Sequence, residues 1–361
     1  MPPPDVVVAG HVCVDLVPSW GMDRPAAPGM IVEMGPLTVR VGGCVANTGL
    51  TLAALGARVH LDADVGDDLL GDVVSAQLSA SERIDAHLRR HAGVATSYSI
   101  VADLPGGDRA IWHHPGANDR FDGLSTRVAG ARLVHVGYPP LLPRLALDGG
   151  RLLRTFLDRV RAAGATTSVD LATPDPGGPS GSVDWRAFLG VVLPAIDILC
   201  PSVRDLAVAL GRSGARARDV RRMGDELLAG GSAVVALTDG PRGMYLRTGS
   251  VDRLREAGAA LGILAGTWAD QELWFASLAD HAVTTTGAGD AASAGLLDGV
   301  LSGSNPLDAG RAAMLAAARV VLDAGQASWS DVRAMRTTEM ARPVGRGWRE
   351  IGDGVYEPAM A

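Results

Sequence analysis

Lysine is missing from this sequence, and all 33 residues that carry a fixed positive charge are arginines. A phosphate-loop lysine, the strand lysine of protein kinases and any Schiff-base lysine are therefore excluded. Any phosphate chemistry in this chain has to rely on backbone N–H groups, arginines and metal ions.

Cysteines and long apolar runs are also scarce. Cys13, Cys44 and Cys200 have no CxxC spacing, which favours a reduced compartment over a disulfide scaffold or a zinc site. No apolar run approaches the roughly 20 residues that cross a bilayer, and the first residues lack the basic segment of a leader peptide. We expect a cytoplasmic protein without a membrane partner.

The chain carries more acidic than basic residues, which bears on its possible partners. A net charge of -7 and a pI near 5.6 argue against a nucleic-acid partner. With 47% hydrophobic residues, the chain can bury the core of one large domain or of two modest ones.

Short apolar runs alternate with helix-like segments through most of the chain. The runs typical of buried strands are Val6–Ala9, Leu133–Val136, Thr167–Leu171, Ile196–Leu199 and Ala233–Leu237. The helix-like segments include Ala46–Leu55, Gly150–Ala163, Asp219–Leu228 and Pro306–Asp323. This alternation predicts an α/β fold with a doubly wound, mostly parallel sheet flanked by helices. Active sites of such sheets lie at the carboxyl ends of the strands.

Two segments interrupt that rhythm, at about residues 15–41 and 96–117. In the second, Tyr98–Ala102 and Arg109–His113 flank a Leu-Pro-Gly-Gly-Asp turn, a pattern typical of a hairpin. We expect both segments to form a small β-lid; the alternative is a pair of ordinary surface loops. We assign residues 1–336 to one domain and 337–361 to an accessory tail, because periodicity is lost there.

The strongest chemical motif is Thr284-Thr285-Thr286-Gly287-Ala288-Gly289-Asp290. A short extended segment, His281–Thr285, runs into a glycine turn and then into a small-residue helix, whose first N–H groups form a natural anion site. A carboxylate there is electrostatically unfavourable unless it accepts a proton from an attacking hydroxyl. The motif predicts Asp290 as a general base, with Gly287, Ala288 and Gly289 stabilising the transferred phosphoryl group.

Two other interpretations of this motif are possible. Asp290 could be a helix cap, or Gly-Ala-Gly-Asp could be a loose dinucleotide fingerprint. We discount the second, because the motif lies far from an opening βαβ unit and Asp290 would face the pyrophosphate.

Two further glycine clusters lie beside predicted elements, one before a helix and one after a strand. Gly42 and Gly43 stand before a helix that carries Asn47 in its first turn; a ligand could touch this backbone, although a tight turn with a capping Asn is the simpler interpretation. The segment with Thr238, Gly240 and Gly243 follows a strand and suits a nucleotide phosphate, or equally a hairpin turn.

Taken in this order, residues 6–328 resemble the ribokinase-like (PfkB) carbohydrate kinases. The specific signature is Thr285–Asp290 with Gly295 after it, and Gly42-Gly43…Asn47…Leu52-Ala53-Ala54-Leu55-Gly56 is a second match. The resemblance implies a doubly wound sheet with a β-lid that often forms dimers, and the use of ATP and Mg²⁺. It implies the following site residues: Asp290 as base with Gly287–Gly289 as anion hole; Asp15, from the end of the first strand, with Gly42, Gly43, Asn47 and Asn118 around the sugar; Asp170 near the reacting phosphate; and Thr238, Gly240 and Gly243 around the nucleotide.

The sequence departs from the family pattern at the metal site and beside the base. The family usually has Asn and Glu three residues apart, whereas this chain has Ser202 and Asp205. Asp205 is one methylene shorter than Glu and would reach a metal through water. Thr284 replaces an acid, which affects a monovalent-cation site, and Ala292 replaces a common aromatic near the adenine.

The resulting hypothesis is ATP-dependent phosphorylation of a sugar or sugar-like hydroxyl, by a homodimer that forms through the lid. A nucleoside kinase of the same fold is the nearest alternative; it requires a ring for base stacking, with Trp112 and Tyr98 as candidates. A catalytically weak sugar-binding or regulatory protein is another, motivated by Ser202 and Asp205. A dehydrogenase is the most distant.

Overall fold

The strands form where buried apolar runs predict them. The structure is a computed structural model that describes residues 3–19, 28–102, 110–212, 217–279, 281–322, 348–352 and 355–358. Every strand predicted from such a run overlaps an observed strand, because an unbroken run of Val, Ile and Leu fits a strand that is buried on both faces.

The described residues form a large sheet of eleven strands. Their spatial order is β14 (Trp348–Gly352), β15 (Val355–Pro358), β13 (Glu272–Phe275), β12 (Met244–Thr248), β11 (Val234–Thr238), β10 (Ile198–Leu199), β9 (Thr166–Val169), β8 (Leu133–Gly137), β1 (Val6–Gly10), β4 (Val59–Gly66) and β5 (Ile84–His91). The strands from β11 to β5 run parallel, and those from β14 to β12 are antiparallel additions. The predicted mostly parallel sheet is confirmed.

Helices cover both faces of this sheet. On β1, Val6 and Val8 pack into one apolar core, and Val7 and Ala9 pack into the other, because successive strand side chains alternate between faces. The described helices are α1 (Cys44–Leu55), α2 (Leu69–Leu78), α3 (Pro143–Ala146), α4 (Arg151–Ala162), α5 (Trp185–Val192), α6 (Val203–Ala209), α7 (Ala217–Ala229), α8 (Val251–Arg255), α9 (Gly258–Leu261), α10 (Ala265–Trp268), α11 (Ala288–Leu301) and α12 (Pro306–Val321).

The two cores are supplied by different helices. Leu52 of α1 and Leu296 of α11 lie in the first core, and Phe156 of α4 and Phe188 of α5 lie in the second; all four are buried. Burying one such side chain stabilises the fold by roughly 1.5–3 kcal/mol. Over the described ranges, each helix is too short or too polar to span a membrane.

A second, smaller sheet contains strands from both segments that interrupt the α/β rhythm. Its order is β3 (Leu37–Gly42), β2 (Cys13–Pro18), β6 (Tyr98–Ala102) and β7 (Ala110–His114). The predicted hairpin is present as the antiparallel pair β6 and β7, and its turn at residues 104–108 lies outside the described residues. We call this four-stranded element the small sheet.

The predicted accessory tail contributes strands to the main sheet. The domain limits of 1–336 and 337–361 stay a prediction, but β15 pairs with β13 through Trp274 and Tyr356. Trp348 of β14 also packs edge-on against Trp274, with ring centroids 6.0 Å apart. Residues beyond 347 therefore extend the sheet and its aromatic packing.

Candidate active site

Asp290 lies in the first turn of α11, near the carboxyl ends of the central strands. The helix begins after Gly287, whose φ of 81° is left-handed, a conformation that favours glycine. The segment before it does not form the expected extended strand. Instead, the Val283 and Thr284 N–H groups donate to the Val321 carbonyl.

Three side chains hold the Asp290 carboxylate, which is 6% exposed. Asn47 Nδ2 donates to Oδ2 over 2.9 Å, and Thr48 Oγ1 donates to Oδ1 over 3.3 Å. The hydroxyl of Tyr138 also donates to Oδ1. The donors come from α1 and from the residue after β8, so two elements that are distant from Asp290 in the sequence fix the position of this carboxylate.

Burial raises the pKa of Asp290, whereas the hydrogen bonds from Tyr138, Asn47 and Thr48 lower it. The nearby charge of Asp15 raises it further. Burial also raises the pKa of Asp170 well above its usual range, and the charges of Asp290 and Asp205 add to that effect. The structure thus brings Asp290, Asp170 and Asp205 into one electrostatically coupled group.

Asp170 and Asp205 are the candidate ligands for a divalent cation in this group. Asp170 is 5% exposed and follows β9, and Asp205 accepts hydrogen bonds from Thr173 Oγ1 at 2.5 Å and Ser202 Oγ at 2.5 Å. Because carboxylate oxygens can accept more than one partner, these bonds leave room for a ligand. Mg²⁺ takes oxygen ligands from one or two carboxylates together with substrate phosphates. A cation there would also offset the repulsion among the three acids.

The pair Ser202 and Asp205 has a local structural role as well. Ser202 caps α6 by accepting the Asp205 N–H at 3.0 Å, and the Asp205 carboxylate accepts the Ser202 N–H in return. This reciprocal capping box stabilises the start of a helix, so the residue types alone do not establish a metal site.

The residues predicted to bind the substrate lie on the small sheet and at the start of α1. A Cβ on Gly42 would lie 2.2 Å from Asp15 Oδ2, and one on Gly43 would lie 2.5 Å from His11 Nδ1. Gly43 also has a φ of 85°. Both glycines are therefore required for the close approach of Asp15 and His11 to the helix.

Asp15 lies in a different strand from the one that the resemblance implied. Strand β1 ends at Gly10, which has a φ of 118°, and the chain then turns into β2 of the small sheet. One face of that sheet carries a row of polar residues that we call the site row: Arg40, Asp15, Ser99 and His113. His113 contacts the ring of His11 at 5.1 Å, and His11 lies 5.6 Å from the ring of Tyr138.

The opposite face carries what we call the outer row: Val39, Leu16, Ile100 and Trp112. Trp112 is 56% exposed. Tyr98 lies two residues before Ile100, on this same face by strand alternation, and packs against His114. Neither ring proposed for base stacking lies on the face of the site row.

Asn118 has a different environment from Asp15 and Asn47. It is fully buried, its Nδ2 donates to the Val12 carbonyl at 3.0 Å, and its Oδ1 accepts the Val12 N–H at 3.3 Å. Both ends of this amide thus bind the turn between β1 and β2, so its direct contribution is to hold that turn, and with it His11, in place.

The predicted nucleotide segment joins two antiparallel strands, β11 and β12. Thr238 ends β11, and Gly243 has a φ of 93°, with a Cβ position only 1.9 Å from the Phe275 carbonyl oxygen. Gly240 faces open space. The geometry is that of a hairpin connection with an open glycine, and the Thr238 N–H binds the Pro201 carbonyl beside the Ser202 turn.

Sequence reasoning missed Tyr138, Thr48 and His11. A usable signal existed for Tyr138, since it follows the strand at Leu133–Val136 just as Asp170 follows β9. Thr48 is the neighbour of Asn47. His11 follows the first strand directly, yet its two ring nitrogens are buried without a partner among the described residues.

Comparisons with known proteins agree with this architecture. Residues 3–332 match a family model described as pfkB family carbohydrate kinase. A curated relative, Bifunctional protein HldE from Caulobacter sp. (strain K31), is 26% identical over 332 residues, which cover 89% of this chain and 60% of the relative. The chain thus spans about three fifths of the length of that relative.

Solved structures share the fold. The structure of Arabidopsis thaliana ribokinase complexed with ribose and ATP superposes with a TM-score of 0.71 at 18% identity, covering 93% of this chain and 99% of that chain. The Methanocaldococcus jannaschii nucleoside kinase is described as an archaeal member of the ribokinase family. It superposes with a TM-score of 0.65 at 16% identity, and the match covers 93% of this chain and 99% of that chain. The ribokinase-like fold expected from the sequence is confirmed.

Proposed function

Since the chain belongs to the pfkB family of carbohydrate kinases, we propose that it transfers the γ-phosphoryl group of ATP to a hydroxyl of a sugar or sugar-like molecule. One observation supports this most strongly: a buried carboxylate, Asp290, lies at a helix start and is aligned by Asn47, Thr48 and Tyr138. A carboxylate held in this way can accept a proton from a bound hydroxyl.

In this proposal the residues of the site divide the work of binding and proton transfer, and Asn47 takes part in both. Asp15, Gly42, Gly43 and Asn47 bind the acceptor, and Asp290 takes the proton from its reacting hydroxyl. The helix start at Gly287, Ala288 and Gly289 offers N–H groups to the charge on the transferred group.

The nucleotide is assigned in this proposal to the turn between β11 and β12. Thr238, Gly240 and Gly243 lie in an open turn beside the Ser202 cap. The Arabidopsis ribokinase, which shares the fold, was solved with ATP. Asp170 and Asp205 would hold Mg²⁺, which when bound offsets phosphate charge.

The small sheet acts as a lid in this proposal. Its site row covers the acceptor, and closure over the acceptor would exclude water and limit the hydrolysis of ATP.

Sugars are favoured over nucleosides as acceptors. The M. jannaschii neighbour is a nucleoside kinase, but Trp112 and Tyr98 lie on the face opposite to the site row, where they cannot stack on an acceptor beneath it.

The decisive experiment measures ADP release from Mg-ATP with a panel of sugars, sugar acids and nucleosides. We expect one class of acceptor to give turnover, and Asp290→Asn to lower kcat by about 10²–10⁴-fold, the usual contribution of a general base. Asp298→Asn, two turns further along α11, is the matched control and should keep its activity.

Near-normal turnover in Asp290→Asn would disprove the role of the base. If no acceptor is turned over but some raise the Tm, the protein is instead a sugar-binding protein that has lost its metal site at Ser202 and Asp205.

A further inference from the structure

A group of buried polar residues lies between β4 and β5, at a sheet edge that the proposed kinase reaction does not use. The parallel register pairs His60 with Asp85 and Asp62 with His87. Asp62 is fully buried and His60 is 3% exposed. The other face of β4 is apolar, with Leu61, Ala63 and Val65 in the core, so these polar groups are confined to one face.

The ring of His60 has one nitrogen engaged and one without a partner. Its Nδ1 lies 2.9 Å from Asp85 Oδ2, whereas its Nε2 is buried with no hydrogen-bond partner among the described residues. A buried polar atom without a partner is uncommon and destabilising. A carboxylate on one ring nitrogen is also the usual arrangement for a histidine that binds a metal through the other.

Asp62 and His87 complete a set of three donors. His60, Asp62 and His87 each offer a ligand atom, and these atoms lie within 4.8 Å of one another. His87 Nδ1 is 3.1 Å from Asp62 Oδ2, and the rings of His60 and His87 stack at an angle of 16°. The side chain of His87 is 52% exposed, which gives an ion a path from solvent.

The surrounding charges also accommodate a cation. Arg89 donates to Asp62 Oδ1 at 2.5 Å but also binds Asp64 through two hydrogen bonds. One arginine therefore faces two buried carboxylates, and a net negative charge remains. The Asp85 carboxylate, which contacts His60, also forms an ion pair with Arg127 at 3.1 Å. The negative charge of Asp85 is therefore already offset by an arginine.

We propose that His60, Asp62 and His87 form a binding site for Zn²⁺ or a similar borderline divalent ion. Two imidazoles and one carboxylate suit such ions, whereas Mg²⁺ prefers oxygen ligands alone. The ion would join the edge strand β5 to β4. His60 is the second residue of β4, so the site lies toward the amino ends of the parallel strands, whereas Asp290 lies near their carboxyl ends.

The test uses full-length protein that carries no histidine tag and has been treated with EDTA and desalted. Titration with ZnCl₂ by calorimetry, with bound metal counted by mass spectrometry, should give one Zn²⁺ per chain. The Tm should rise with ZnCl₂. His87→Gln, at a half-exposed position, should weaken binding at least about tenfold and abolish the Tm rise.

Two more variants separate this site from adventitious zinc binding. Asp85→Asn leaves the three ligands in place and should weaken binding about 10–100-fold, the usual effect of losing an outer-shell partner. His91→Gln removes a histidine of the same strand that binds Asp64 instead, and should bind zinc like the unmodified protein. The proposal is overturned if the unmodified protein does not bind one Zn²⁺ per chain in the titration, or if His87→Gln binds zinc equally well.

Discussion

At the scale of single residues, opposing effects set the protonation of Asp290. Burial favours the neutral carboxylic acid, whereas donors from Tyr138, Asn47 and Thr48 favour the carboxylate. A base must be deprotonated to act, so the donors keep Asp290 usable despite its burial. Of these three donors, Tyr138 lowers the pKa of Asp290 the most.

Replacing Tyr138 by Phe should therefore shift the pH dependence of turnover. Without the hydroxyl, the pKa of Asp290 rises further, and the acid limb of kcat/KM moves to higher pH. A hydrogen bond to a charged group contributes roughly 1.5–3 kcal/mol, so we expect a loss of kcat/KM of about 10–100-fold at the acid end and a much smaller loss at alkaline pH. The measurement is a kcat/KM profile of both proteins from about pH 5 to pH 9.

The phenyl ring keeps the packing against His11, so a general loss of structure should not occur. A uniform drop across the pH range, with the acid limb unmoved, would mean that the hydroxyl does not act through Asp290.

The sequence could predict Asp290 but not its donor. A glycine turn before a small-residue helix is a local pattern, and it identifies an acid in the first turn. Tyr138 is 152 positions away from Asp290, and only the winding of β8 beside β1 and β9 brings it to the base. Asn118 illustrates the reverse problem, because the sequence marks it as polar and near the site but does not show that Val12 uses its amide.

At the scale of elements, the glycines of α11 divide into two kinds. A Cβ on Gly295 would lie 2.5 Å from the Ala312 carbonyl oxygen, and one on Gly299 would lie 2.6 Å from the Ala309 Cβ. These two glycines allow close packing of α11 on α12. Gly289 has nothing within 4 Å of its Cβ position, so the described fold does not require glycine there, although glycine destabilises a helix relative to alanine by about 0.5–1 kcal/mol.

Gly289→Ala should therefore separate stability from catalysis. We expect an unchanged or slightly higher Tm, since alanine favours the helix. We also expect at least about a tenfold loss of kcat, because a methyl group would keep the phosphoryl group from the N–H groups at the helix start. Thermal unfolding and ADP release are measured on the same preparation.

Gly190→Ala in α5 is the control, since its Cβ position is also open and it lies outside the site. It should gain stability and keep its activity. Full activity in Gly289→Ala would count against an anion hole at Gly287–Gly289.

Elements whose pattern is local were the ones that the sequence predicted well. The strands of the parallel sheet and the helices α1, α4, α7 and α12 follow from apolar runs and periodicity. The pairing of β15 with β13 does not, because residues 337–361 carry no strong pattern and the partners are far apart in the chain. Edge pairing depends on which backbone groups remain unpaired after the rest of the sheet has formed.

At the scale of the whole molecule, the small sheet has two unlike faces. The site row is polar and turns toward Asp290, whereas the outer row is apolar, with Val39 at 39%, Ile100 at 37% and Trp112 at 56% exposure. Exposed apolar side chains on three of the four strands are typical of an interaction surface, and Leu16, the fourth member of the row, packs partly against the core. We propose a second copy of this chain as its partner, since an isologous contact requires only one such surface.

Replacing Trp112 by Glu should then convert a dimer to a monomer. A charge at the centre of an apolar contact is buried without a partner, which strongly disfavours association. Light scattering after size exclusion, at about 1–50 μM protein, measures the mass directly. Ile263→Glu is the control, because Ile263 is 73% exposed but lies outside the small sheet. A monomeric unmodified protein, or a Trp112→Glu dimer, would contradict this interface.

The pairing of β15 with β13 also bears on the order in which the chain is made. β13 ends at Phe275 and β15 begins at Val355, so β13 leaves the ribosome long before β15 is made. Throughout that interval the nascent protein carries an uncovered strand edge beside Trp274, which invites pairing with neighbouring chains. An aggregation hazard of this protein therefore falls in the interval between the synthesis of β13 and that of β15, and the pairing of β15 ends it.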